Sequence, residues 1–170
     1  LVLGIDDDGH RSVRRPETPE AWLDAFHVIQ ANRRELGTLA GNEAPETAAR
    51  AAVRRGARAV VMTRGPEGAT WFAPTDAPVW PAAGEERSAG TAPEPAVEVP
   101  PVRSGHVPLD TPGSTGDPTG CGDVWGATCS VELMRGRRLS DAMRVSNRAA
   151  ARNVDHRGAD GLYQHLRADA

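Results

Sequence analysis

Short apolar runs alternate along this chain with stretches of helical period, and that alternation limits its fold more than any other feature. The clearest run is residues 58–63 (RAVVMT), preceded by a helical pattern from Pro45 to Arg55 that stops at Gly56. Across the turn Arg64-Gly65-Pro66-Glu67-Gly68 a second strand is expected from Ala69 to Phe72. Upstream, residues 1–5 (LVLGI) read as a strand and Asp6-Asp7-Asp8-Gly9 as a solvated turn. Thr18 as cap with Pro19 at the first helical position opens a helix that turns Trp22 and Phe26 to the core. His27 to Gln30 is a strand candidate, and Asn32 starts a helix that carries Leu36 and Leu39 inward, with Gly41 past its end. Downstream, Pro112 to Gly122 opens into a helix near Asp123 with the stripe Val124, Ala127, Val131 and Met134, ended by Gly136. Ser140 then caps a helix to about Val154, with Ala142, Val145 and Ala149 along one face, and a short helix closes the chain. Strand–helix alternation of this kind predicts an α/β layer structure with a mostly parallel sheet, in one domain over residues 1–170.

Composition narrows the partners. Aromatics are only 4%, so the core must come from Ala, Val and Leu. A net charge of -3 gives no electrostatic reason to expect nucleic acid or an anionic membrane. No apolar run approaches the roughly 20 residues needed to span a bilayer. Cys121 and Cys129 form neither a metal spacing nor a disulfide framework, which fits a reducing cytoplasm, and Cys129 reads as a small core residue. Residues 73–101 are rich in Pro, Ala, Gly and Glu; Val79-Trp80 and Val97 to Val99 read as short strands around a flexible loop at 81–96. The five histidines have no ligand spacing, and Trp71, Trp80 and Trp125 read as packing residues. The chain opens at Leu1, inside a strand-like run, so a longer parent protein is expected.

The chemistry concentrates in Asp117-Pro118-Thr119-Gly120-Cys121-Gly122-Asp123. Glycines 120 and 122 let backbone approach a ligand without side-chain obstruction. The helix that follows aims its unpaired N–H groups at the same place, where an anion or a transferring phosphoryl group would be stabilised. Asp123 at the mouth is placed to accept the proton of an attacking hydroxyl, or else simply complements the dipole of a plain helix start. Asn32 with Glu35 is open to two readings as well, a capping box or part of a site. Thr63 to Gly68 also reads as a hairpin turn that needs glycine for positive φ.

The run Gly120-Cys121-Gly122-Asp123-Val124-Trp125-Gly126-Ala127, after Asp117-Pro118-Thr119, resembles the C-terminal signature of the ribokinase or PfkB family of carbohydrate kinases. Residues 142–158 (AMRVSNRAAARNVDHRG) resemble the helix and loop that follow it, Thr63-Arg64-Gly65 with Gly68 resembles the family's Thr-x-Gly turn, and Asn32 to Glu35 its Asn-x-x-Glu motif. The four motifs stand in the family's order and cover about residues 27–72 and 97–166. The resemblance implies the C-terminal part of a ribokinase-like three-layer sandwich, acting as an ATP-dependent, Mg²⁺-requiring kinase on a hydroxyl of a sugar or nucleoside.

Carried over residue by residue, Asp123 would be the catalytic base, and the amides of Gly120, Cys121 and Gly122 the anion hole. Thr63, Gly65 and Gly68 would line the nucleotide cleft, and Asn147 would approach the adenine side. Asn32 and Glu35 would help hold Mg²⁺ through water, while Asp117 and Thr119 would match a monovalent-cation site for K⁺, with Gly158 and the loop after it nearby. Cys121 stands where many members carry Ala, and Thr128 replaces a usual small residue. The family's sugar-contacting N-terminal part and β lid are not recognisable, so the acceptor site and any homodimer through that lid would belong to the full-length parent. Two other functions compete with the kinase: a truncated, non-catalytic nucleotide-binding module or relic, and an interaction scaffold with no nucleotide site.

Overall fold

The computed structural model describes residues 2–5, 7–9, 11–80, 101–110, 116–158 and 160–167. The loop expected at 81–96 and the strand expected at Val97 to Val99 lie outside them. The described residues gather into two compact units. The first draws on Leu1–Arg64, Thr70–Thr75 and Val97–Gly105, the second on Gly65–Ala69, Asp76–Ala96 and His106–Ala170.

The first unit opens with an antiparallel pair, β1 (Val2–Ile5) and β2 (Arg11–Arg14), in the register Val2 opposite Arg14 and Ile5 opposite Arg11. Helix α1 (Pro19–Asp24) follows, then β3 (Val28–Asn32), α2 (Arg33–Ala40), α3 (Pro45–Arg54), β4 (Ala59–Thr63), β5 (Ala69–Ala73) and β6 (Arg103–Val107). The last four strands form one sheet in the order β3-β4-β5-β6, with β3 and β4 parallel and Asn32 opposite Thr63. Residues 64–68 are too few for a crossover, so β4 and β5 form a hairpin and the sheet is mixed.

Every residue of β4 before Thr63 is buried, which is why its sequence is an unbroken apolar run rather than an alternating one. The scarcity of aromatics is met by small residues: Ala49 and Ala52 of α3 pack with Leu36, Val60, Met62 and Phe72 in the core. Leu36 and Leu39 point inward and the amide of Gly41 bonds the carbonyl of Gly37 at 3.0 Å, as expected of α2.

Phe26 departs from expectation. It is 51% exposed, because α1 stops at Asp24 and leaves Phe26 in the connection to β3. Arg55 holds that end: its Nε donates to Asp24 Oδ1 at 2.6 Å, a second guanidinium nitrogen reaches Oδ2, and these hydrogen bonds hold the Asp24 carboxyl below the usual carboxylate range. The side chain of Trp22 lies outside what is described.

In the second unit α4 (Cys121–Met134) and α5 (Leu139–Asn153) pack along each other, and α6 (Leu162–Arg167) follows. The buried face of α4 is Trp125, Cys129, Glu132 and Leu133. The expected stripe is therefore wrong: Val131 is 41% and Met134 58% exposed. Burial of Glu132 becomes tolerable because Arg135 Nη1 lies 2.7 Å from its Oε1 and Arg137 pairs with its other oxygen. Helix α5 starts at Leu139, one residue before the expected cap. Ser140 is itself capped from a distance, since its backbone N–H and its hydroxyl donate to the two oxygens of Asp76 at 2.8 Å each. The buried face of α5 is Leu139, Ala142, Met143, Ser146 and Asn147, whereas Val145 and Ala149 are only half-buried. Val79 and Trp80 lie in a bend rather than a strand. Among the described residues no helix is long and apolar enough to cross a membrane.

Candidate functional site

In the second unit, the segment entering α4 is fixed before any ligand is considered. The Asp117 N–H donates to Val154 O at 3.0 Å, and a Cβ on Gly116 would lie 2.0 Å from that same oxygen, so only glycine fits there. Asp117 Oδ1 then accepts the Thr119 N–H at 2.9 Å. The Thr119 hydroxyl, followed by this amide and the charge of Arg157, holds the Asp117 carboxyl below its ordinary value. Gly120 has φ +80°, a left-handed conformation suited to glycine, and caps α4.

The first turn of α4 is Cys121, Gly122 and Asp123. The Cys121 amide, expected in an anion hole, donates to Pro118 O at 3.1 Å and is thereby engaged in the bend itself. Gly122 has no positive φ, and a Cβ added to it would meet nothing within 4 Å. Among the described residues, neither its backbone conformation nor a neighbour at the Cβ position explains its glycine. Asp123 is exposed, one residue further into the helix. A ligand approaching the open side of Gly122 therefore meets helix N-terminal backbone with a carboxylate alongside, an arrangement suited to binding an anion and taking up a proton.

Asn147 is 5% exposed, and its amide is spent within the protein. Its Oδ1 accepts from Trp125 Nε1 at 2.8 Å, and its Nδ2 donates to Val107 O at 3.1 Å and Pro108 O at 3.0 Å. With both amide hydrogens committed, the side chain is a brace between α4, α5 and the Val107–Pro108 backbone. Gly68, at φ +92°, is fixed by the same strand end: its Cβ would fall 2.2 Å from Val107 O. Gly65, at φ +58°, faces open space.

The first unit holds Asn32, Glu35 and Thr63. Asn32 and Thr63 are register partners at the carboxyl ends of parallel β3 and β4, where open α/β sheets bind ligands. The capping box is real: Asn32 Oδ1 accepts the Glu35 N–H at 2.9 Å, and Glu35 Oε2 accepts the Asn32 N–H at 2.8 Å. Glu35 also borders a cleft of about 370 Å³ lined by Leu23, Phe26, Ile29 and Leu39. Magnesium binds through one or two carboxylates, with phosphate oxygens and water completing the shell. Glu35, with one oxygen in the box and a second beside it, fits such a partial site. Among the described residues no cluster of three or more His, Cys, Asp or Glu could cage a metal.

A family model described as pfkB family carbohydrate kinase matches residues 11–165. The chain belongs to that family. Its fold is shared with the ribokinase of Thermotoga maritima (TM-score 0.58, 19% identity, 86% of this chain and 42% of that one). It is also shared with a fructokinase of Vibrio cholerae solved with fructose, ADP and calcium (0.60, 19%, 86% and 43%). A pyrophosphate-dependent kinase of the ribokinase family, solved with a pyrophosphate analogue and myo-inositol, is likewise similar (0.62, 16%, 95% and 48%). No curated protein sequence matches. The chain thus spans under half the length of these pfkB-type structures and forms an incomplete α/β fold of their kind.

Two contributors to this pfkB-type bend escape sequence reasoning. Asn153, 3% exposed at the end of α5, donates from Nδ2 to Thr119 O at 3.0 Å and touches Cys121 Sγ at 3.4 Å. Gly116 escapes as well, because the Val154 carbonyl it accommodates lies far along the chain. The one available signal was a polar residue, Asn153, ending an Ala- and Arg-rich helix.

Proposed function

We propose that this chain is the nucleotide-binding and catalytic part of an ATP-dependent kinase for a hydroxyl of a sugar or nucleoside. Family membership supports a carbohydrate kinase in general. The observation that carries the finer reading is Gly122: an exposed glycine without positive φ, whose Cβ position is open among the described residues, in the first turn of a helix and next to Asp123. Such a glycine is accounted for by something that approaches the backbone, and a phosphoryl group is what a helix N-terminus favours.

In this reading the Asp123 carboxylate takes the acceptor's hydroxyl proton as its oxygen bonds the γ-phosphorus and the bond to the leaving ADP breaks. The first-turn amides of α4 stabilise charge on the migrating group, with Gly120 and Gly122 giving access. Cys121 serves the bend's shape more than the ligand. Thr63, Gly65 and Gly68 lie along the nucleotide, and Asn147 acts through the Val107–Pro108 backbone it holds. Mg²⁺ with Asn32 and Glu35 nearby would supply charge neutralisation on the donor phosphates.

The match across residues 11–165 supports treating both units as one partial domain, 1–170. The acceptor-binding part, and pairing into a homodimer, belong to a longer parent. The cysteine content supports a reducing, cytoplasmic setting.

Replacing Asp123 with Asn in the full-length parent tests the reading. Turnover is expected to fall by about 10²–10⁴-fold while Mg-ATP binding measured by calorimetry stays; undiminished turnover refutes the base. Coverage of under half the relatives' length also favours a second reading, a nucleotide-binding module without catalysis. That reading gains if Mg-ATP binds and no single turnover follows in any parent protein. Because one neighbour of this fold is a pyrophosphate-dependent kinase, the titration is run with pyrophosphate as well.

A further inference from the structure

We infer that Asn153 is a positioning residue for the bend at 117–122, and that protein donors set this bend in place of a monovalent cation. The inference deepens the proposal above and rests on it for its link to phosphoryl transfer; the geometry stands without that link.

The end of α5 holds the bend at successive residues. Val154 O receives the Asp117 N–H at 3.0 Å and leaves room only for glycine at 116. Asn153 Nδ2 donates to Thr119 O at 3.0 Å and lies 3.7 Å from where a Gly120 Cβ would be. The oxygens a cation would need at these residues are the Asp117 carboxylate and the Thr119 carbonyl. Both already accept hydrogen bonds. The carboxylate receives the amide of Thr119 at Oδ1, and the carbonyl receives the Asn153 amide. An amide N–H presents the positive end of its dipole to the acceptor, as a cation presents its charge. The Asn153 hydrogen therefore occupies one coordination direction of the Thr119 carbonyl and opposes a cation brought beside it. Asn153 is nearly fully buried, so its amide is held in place and cannot turn aside into water.

The test is amide hydrogen exchange across residues 119–124 of the full chain, without nucleotide, in potassium chloride and in tetramethylammonium chloride at equal ionic strength. The wild-type chain is expected to exchange within about twofold in the two salts, since a lost hydrogen bond is worth roughly tenfold in local opening. Asn153→Asp keeps the size, removes the donors and adds an anionic oxygen. It is expected to exchange about tenfold faster in tetramethylammonium and to recover protection in potassium. A wild-type bend that gains about tenfold protection with potassium overturns the inference, as does Asn153→Asp behaving like wild type in both salts. Protection over Leu139–Met143 in the same spectra separates local opening from unfolding. Should the variant unfold, the wild-type comparison of salts still decides. Mg-ATP calorimetry is a separate readout, so failure of the kinase reading and failure of this one are told apart.

Discussion

Gly116 and Gly122 lie in one segment and owe their identity to different causes. Gly116 is forced by a carbonyl that a Cβ would meet at 2.0 Å, whereas a Cβ on Gly122 would meet nothing within 4 Å among the described residues. Gly116→Ala must push Val154 away or break its bond to Asp117, and we expect a loss of about 1–3 kcal/mol in urea unfolding. A variant as stable as wild type would mean that the clamp on the bend is soft. Sequence reasoning singled out Gly120, Gly122 and Asp123 because their types and spacing carry chemistry by themselves. Gly116, Asn147 and Asn153 act through partners distant along the chain, and no local pattern encodes a partner. Asn147 is instructive: burial and three hydrogen bonds make it a brace, a role its motif position did not announce.

At the scale of elements, β4, α2 and α3 were legible because a continuous apolar run, a capping box and an N-terminal proline are local signals. The face of α4 was not. Its Val and Met residues stand at helical spacing, yet the buried face carries Trp, Cys, Glu and Leu, and the acid is admitted only by two arginines just beyond the helix. The start of α5 depended on Asp76, 64 residues before Ser140 in the sequence. Cys129 gives a pH test of the α4 face. Burial pushes its thiol from the ordinary 9.0 up to about 11. The unfolded thiol therefore ionises first, and between those values the unfolded state holds fewer protons than the folded one. Stability must then fall as pH rises from about 9 to 11. Comparing Cys129→Ala with wild type across that range should show the wild-type decline as the steeper; parallel curves would place the thiol in water.

For the whole molecule, the shared fold covers most of this chain but less than half of its relatives. Family and α/β class were readable because four motifs fall in order along the chain, although overall identity to the structural neighbours is only 14–19%. The acceptor-binding side was not readable, since residues that contact an acceptor are not evident in this chain. The account rests on backbone at the start of α4 receiving a phosphoryl group. Calorimetry of Mg-ATP binding to the full chain and to its Gly122→Ala variant, with melting curves of both, tests that most directly. An exposed helical glycine replaced by alanine should hold or gain stability, up to about 1 kcal/mol, while nucleotide affinity drops about tenfold or more through loss of close approach. Equal affinity in the two proteins, or no binding to either, contradicts the account.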